Sequence, residues 1–210
     1  TDGLTGLNRL TNAYAEARRF AVALEHPRAD HPDYEDDPEG HKADNIRVVF
    51  EAICQQFPEL EAADLQGHSD GGSNGSRFAL EHPEAVRSLI VMASGGLIDG
   101  DTQLRIIHRA VTNPELLLEW TKRIATHPLF SAQLIGSSLG FIRRHPQKAI
   151  EEAAFISSAD IRPRFPVLSQ SGPKRVPNGA IQFKRDVLFP LDMVLDSTDN
   201  GKIFDLFAKS

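Results

Sequence analysis

The residues with the clearest chemical potential are Gly67-His68-Ser69-Asp70-Gly71-Gly72, which fit the pattern G-x-S-x-G. A short strand-like run, Ala63–Gln66, leads into them. A helix-forming segment follows to about Glu81 and is stopped by His82-Pro83. A serine at the tip of a strand-to-helix turn sits in a strained backbone conformation, with its hydroxyl pushed out of the sheet. Glycines two residues before and two after let strand and helix approach without Cβ clashes. The turn aims the Asp70 backbone N–H at the place where an oxyanion would form, and the helix N-terminus adds partial positive charge there. The chemistry that suits such a turn is nucleophilic attack by Ser69 on a carbonyl. Two blander readings compete: a glycine-rich turn with an idle serine, and a phosphate cradle. The cradle lacks both the P-loop lysine and the G-x-G-x-x-G spacing.

A serine presented in this way needs a parallel sheet behind it, and the apolar runs are arranged to build one. Residues 1–19 read as a helix, with Leu4, Leu7, Leu10, Tyr14 and Ala17 on one stripe. Arg19–Leu24 reads as a buried strand ended by Glu25-His26-Pro27. A helix over about 44–57 stops at Pro58, and Val86–Ala93 is the most apolar strand, closed by Ser94-Gly95-Gly96. Strands alternating with helices imply an α/β fold with a mostly parallel sheet. From about 102 to 159 no strand is evident. Helices are expected near 102–112, 114–126, 129–142 and 146–158, with Asn113-Pro114-Glu115 as a start signal. This block reads as an insertion at 101–160 in a core formed by 1–100 and 161–210. The Pro- and Gly-rich residues 160–179 read as linker. Strand character returns at Ala180–Phe183 and at Ile203–Ala208.

Composition narrows the partners. With 29 acidic against 23 basic residues, a net charge of −6 and no Lys/Arg-rich block, nucleic acid is not expected to bind. No apolar run approaches the roughly 20 residues of a membrane-spanning helix, so no membrane is expected either. The single Cys54 excludes an internal disulfide and reads as a helix residue at the edge of a core. Together these suggest a cytoplasmic protein. The polar stretch 25–44, rich in Asp and Glu and carrying His26, His31 and His41, reads as a solvated acidic loop, because its spacing matches no tight metal motif. The sequence starts without a Met, and its natural start is expected to lie further upstream.

On the elbow Gly67–Gly72 and the flanking segment Leu65–Gly96, the chain resembles the α/β-hydrolase family. The resemblance implies that the block at 102–159 is a helical cap. Its apolar residues, among them Leu116, Leu117, Leu118, Trp120, Ile124 and Phe130, would pack between helices and roof an apolar pocket. Lys184-Arg185-Asp186-Val187-Leu188-Phe189-Pro190 is similar to the loop that carries the triad acid. Asp186 would be that acid, with Asp192, Asp196 and Asp199 as competitors. The family's catalytic His follows the last strand, but no His follows His145 here, and His26 is the only outside candidate. His68 is expected to pack locally, and His82, His127 and His145, each before a Pro, mark helix boundaries. Arg19–Leu24 looks like the family's fourth strand, although Glu25-His26-Pro27-Arg28 replaces the usual Asp-x-x-Gly. Nothing resembles the third strand, which in the family lies between the fourth and the fifth. Two expectations follow: a longer polypeptide, with an empty slot one strand wide between Arg19–Leu24 and Ala63–Gln66, which is favoured, or a first strand moved to pair directly with the fifth. The implied activity is that of a serine hydrolase, most simply a carboxylic-ester hydrolase. Ser69 would attack a small, partly apolar ester, lactone, amide or C–C-cleavable diketone, with Asp70 N–H in the oxyanion hole and no metal or organic cofactor. The alternative is a non-catalytic ligand-binding protein of the same fold.

Overall fold

The computed structural model of the chain describes residues 5–24, 38–114, 159–170, 174–184, 186 and 188–209, with isolated helical positions between 118 and 150. Its centre is a four-stranded sheet of β1 (Ala63–His68), β2 (Val86–Met92), β3 (Asn178–Gln182) and β4 (Leu206–Lys209), in the order β1-β2-β3-β4. Every pair is parallel. Gly67 faces Val91, Met92 faces Ile181 and Gln182 faces Lys209. Parallel strands need crossover helices, and those helices cover the sheet and leave its central strand apolar. Leu89 and Val91 of β2 are fully buried on that account.

The helices are α1 (Thr5–Glu16), α2 (Pro38–Gln56), α3 (Asp70–Glu81), α4 (Gln103–Thr112), α5 (Arg164–Leu168) and α6 (Leu191–Ser197). α3 buries Phe78 and Ala79 in the core and packs against α2, α5, β1 and β2. A single cluster, including Phe78, Leu89, Val91, Ile161, Phe165, Val176 and Val194, forms that core. Among the described residues, no helix is long and apolar enough to cross a membrane.

Several expectations are corrected. Arg19–Leu24 joins no strand. Phe20 is 71% exposed and Val22 47%, and the run touches the rest of the protein through the Phe20–Phe57 ring contact and the partly buried Leu24. An apolar run becomes a buried strand only where a neighbour accepts its backbone groups. Among the described residues only the Arg19 N–H is met, by the Tyr14 carbonyl at 2.8 Å, and no strand pairs with the run, so the expected slot beside β1 has no far wall. The second correction concerns α2, which begins at Pro38, six residues before the expected start. Proline suits the first helical position because its missing N–H would be unpaired there anyway. Glu39 and Lys42 are thereby buried rather than solvated. Third, the supposed linker at 160–179 contributes Ile161, Phe165, Leu168 and Val176 to the core, and the Phe165 ring lies 4.5 Å from that of Phe204. Burial of these side chains outweighs the proline content of the segment. The last strand is also shorter and later than expected, because Phe204 belongs to the preceding turn.

The chain leaves the sheet after β2 and comes back to nearly the same point. Gly96 has φ +78, and a Cβ there would overlap the Ala159 carbonyl oxygen. Ile161 N–H donates to the Gly96 carbonyl at 3.1 Å. Arg162 bridges the junction, 2.5 Å from Asp99 and 2.7 Å from Asp160, and its guanidinium holds the Asp160 carboxyl below the usual carboxylate range. Between these ends lies α4, started by the Thr102 hydroxyl accepting from Arg105 N–H. Every described position between 118 and 150 is helical. The remainder of the expected helices over 114–126, 129–142 and 146–158 lies outside the described residues.

Candidate active site

Ser69 closes β1 and precedes α3 with φ 54 and ψ −122, a conformation that L-residues rarely adopt. The adjoining β2 and the turn after it fix it there. Its N–H donates to the Met92 carbonyl at 3.0 Å, and its own carbonyl accepts from the fully buried Ser94 hydroxyl at 2.8 Å. The glycines act as the sequence suggests, with one change. A Cβ on Gly67 would overlap the Gly71 carbonyl and stand 2.6 Å from Gly72 N, and a Cβ on Gly72 would stand 2.7 Å from Ser94 Cβ. A Cβ on Gly71 would meet nothing within 4 Å. Close approach is therefore required at Gly67 and Gly72, whereas the last glycine of G-x-S-x-G is free of it.

Serine before a helix usually spends its hydroxyl on the cap. Ser69 makes no side-chain cap hydrogen bond. Among the described residues its half-buried hydroxyl has no partner, and no acceptor meets the Asp70 N–H. A serine hydroxyl and a backbone N–H, both without a partner among the described residues, thus stand side by side at a helix N-terminus.

A polar network that sequence reasoning missed lies beside this turn. Lys42 Nζ is 2.5 Å from Asp70 Oδ2, which also accepts from Asn74 Nδ2 at 3.1 Å. One turn earlier on α2, Glu39 accepts from the Ser73 hydroxyl and, at 2.6 and 2.9 Å, from both terminal nitrogens of Arg164. The bidentate pair joins α2 and α5 to the helix that carries the elbow. Asp37-Pro38-Glu39 has the same start signal as Asn113-Pro114-Glu115 and could have revealed the helical placement of Glu39 and Lys42.

Asp186 follows β3. Parallel strands end on one edge, so it shares that edge with Ser69, one strand removed, about 10 Å at strand spacing. Its Oδ1 accepts from the N–H groups of Leu188 and Phe189, each at 3.0 Å, and its Oδ2 from the buried Gln182 amide at 3.3 Å. Asp186 is half-buried, whereas Asp192, Asp196 and Asp199 are exposed, with Asp199 paired to Lys202. The histidines are dispersed. His68 is exposed at the end of β1 rather than packed, and His82 ends α3 with its ring 5.1 Å from that of Phe78. His26, His31, His127 and His145 lie outside the described residues. A shallow groove of about 440 Å³ between α4 and α6 is lined by Leu104, Arg105, His108, Arg109 and Met193. Its Arg109 is committed to Asp101 and to the Leu188 carbonyl, which fastens α4 to the Asp186 loop. Of the apolar residues expected to roof a pocket, Leu118 is described, and it is 56% exposed.

This arrangement of parallel sheet and packed helices has counterparts among solved structures. A membrane phospholipase A, a bacterial virulence factor, matches with a TM-score of 0.60 and 17% identity, over 96% of this chain and 66% of its own. A meta-cleavage product hydrolase from Pseudomonas fluorescens IP01 matches with a TM-score of 0.54 and 16% identity, over 86% of this chain and 66% of its own. The protein has the α/β-hydrolase fold. An enol-lactonase from Burkholderia xenovorans LB400, with a TM-score of 0.51 and 13% identity over 80% of this chain and 62% of its own, is a further example of that fold. The chain spans about two-thirds of the length of these α/β-hydrolase structures. No family model and no curated protein matches the sequence. At such identities the likeness is one of fold, and a fold hosts many activities.

Proposed function

We propose that the protein is a serine hydrolase in which Ser69 Oγ attacks a substrate carbonyl. The observation that carries this reading is the strained Ser69, held at φ 54 by its neighbours with its hydroxyl not spent on the cap. An imidazole takes the hydroxyl proton as the Oγ–carbon bond forms, and returns it to the leaving group as the acyl–leaving-group bond breaks. Water then releases the acyl group by the same two proton transfers. Asp70 N–H stabilises the oxyanion. Asp186, already fixed by two backbone donors, orients the imidazole and balances its charge. The imidazole and a second oxyanion donor complete the site. Residues 101–160 act as a cap, and the substrate is a small, partly apolar ester, lactone, amide or C–C-cleavable diketone.

The test is fluorophosphonate labelling of the protein as its gene encodes it, followed by rates on p-nitrophenyl esters of graded chain length. Ser69 takes the label, Ser69→Ala takes none, and short to medium esters are cleaved. Labelling that persists in Ser69→Ala removes Ser69 as the nucleophile. A folded protein that takes no label and cleaves no ester is instead an inactive binding protein of this fold.

A further inference from the structure

The oxyanion donor proposed above belongs to an acidic residue. Asp70 carries its carboxylate on the same Cα as the N–H, so the charge lies within roughly 5 Å of that donor, where Coulomb terms are large. Left unpaired, it would oppose the negative charge developing on the substrate oxygen and offset the field of the α3 N-terminus.

The surroundings of that carboxylate are specific. Lys42 has 3% of its side chain exposed and stands 2.5 Å from Asp70 Oδ2. A buried ammonium is costly unless paired. Among the described residues, Lys42 is the cation paired with Asp70. Asn74, fully buried, donates to the same oxygen, while Asp70 Oδ1 is buried without a hydrogen-bond partner among the described residues. Lys42 is thus the charge partner of a carboxylate that is 22% exposed. The Glu39–Arg164 pair, one turn back on α2, anchors the segment from which Lys42 reaches.

We propose that Lys42 is a positioning residue of the oxyanion site: it draws the Asp70 carboxylate toward α2 and neutralises it, leaving the Asp70 N–H and the α3 N-terminus to act on the substrate. The inference rests on the reading of Ser69 as nucleophile.

The experiment measures kcat and KM on a p-nitrophenyl ester, and inhibition by phenylboronic acid. The boronic acid mimics the oxyanion when the Ser69 oxygen bonds to boron and its proton passes to the base. Lys42→Met is expected to lower kcat about 10- to 100-fold with little change in KM, and to weaken boronate inhibition by a similar factor. Lys42→Arg keeps most of the rate. Adding Asp70→Asn to Lys42→Met recovers most of the loss, because the opposing charge is gone. A purely structural role predicts no such charge-dependent recovery in kcat and boronate affinity. Should Lys42→Met not fold, Lys42→Gln, which keeps a donor without the charge, replaces it with the same expectations. A folded Lys42 variant with wild-type kcat, or a double variant as slow as the single one, overturns the inference while the nucleophile reading stands. A wild-type protein that neither takes a fluorophosphonate at Ser69 nor cleaves the ester overturns both.

Discussion

The turn after β1 and the loop after β3 each hold one polar side chain at the same edge of the sheet, and they are built from different materials. Around Ser69 the backbone does the holding. Two glycines allow contacts that no Cβ could share, and the residue itself sits at a positive φ. Around Asp186 a side chain does the holding, its carboxylate tied to the N–H groups of Leu188 and Phe189. The first device tolerates almost no substitution at its contact points but leaves the serine hydroxyl unspent. The second permits many sequences, yet it commits part of the functional group to its own support.

Substitutions test this contrast, beginning with the largest effect. Gly67→Ala puts a methyl group against the Gly71 carbonyl, and because the obstacle is backbone it cannot swing aside. The expected cost is about 3 kcal/mol or more in urea unfolding, together with loss of fluorophosphonate labelling at Ser69. Unfolding at the wild-type urea concentration would show that the turn is not built by backbone contact. Asp186→Ala strands two N–H groups and should cost about 1–3 kcal/mol, whereas Asp186→Asn, which keeps an acceptor, should cost less than about 1. Equal destabilisation by the two would mean that the loop depends on the charge and not on the acceptor geometry. Ser69→Gly removes the Cβ from a left-handed position, and a gain of about 1 kcal/mol in thermal or urea stability is expected along with complete loss of labelling. The smallest effect is reserved for Gly71→Ala. With open space around it and helical backbone, this change should shift stability by no more than about 1 kcal/mol, in the stabilising direction. A large penalty there would restore the full G-x-S-x-G pattern as a packing requirement.

The same contrast explains what could be read from the sequence. A turn made by backbone contact demands glycines at fixed spacing, so it leaves letters behind, and Gly67 and Gly71, with Gly72 next to them, disclosed the elbow together with its strand and helix. The letters alone did not tell which glycine is crowded, because only the Ser94 side chain and the Gly71 carbonyl distinguish Gly72 and Gly67 from Gly71. Ion pairs leave no such spacing. Lys42 and Asp70 stand 28 positions apart, and Glu39 and Arg164 stand 125 apart. Glu39 was lost among the acids of its neighbourhood, and Arg164 among prolines, until folding brought both against Ser73. The run Arg19–Leu24 failed differently. Five apolar or aromatic letters describe a strand that finds a neighbour as well as they describe one that does not.

The junction at Gly96 and Ala159–Ile161 has an evolutionary meaning. Exit and re-entry of the chain coincide, so the span between them is attached to the sheet like a cassette to a socket. Lengthening or exchanging such a span moves no strand, and each doubling of its length adds only about 0.6 kcal/mol in closure entropy. Selection can therefore lengthen, shorten or exchange that span while leaving the sheet edge untouched, provided that the glycine at the socket and the Arg162 clasp are kept.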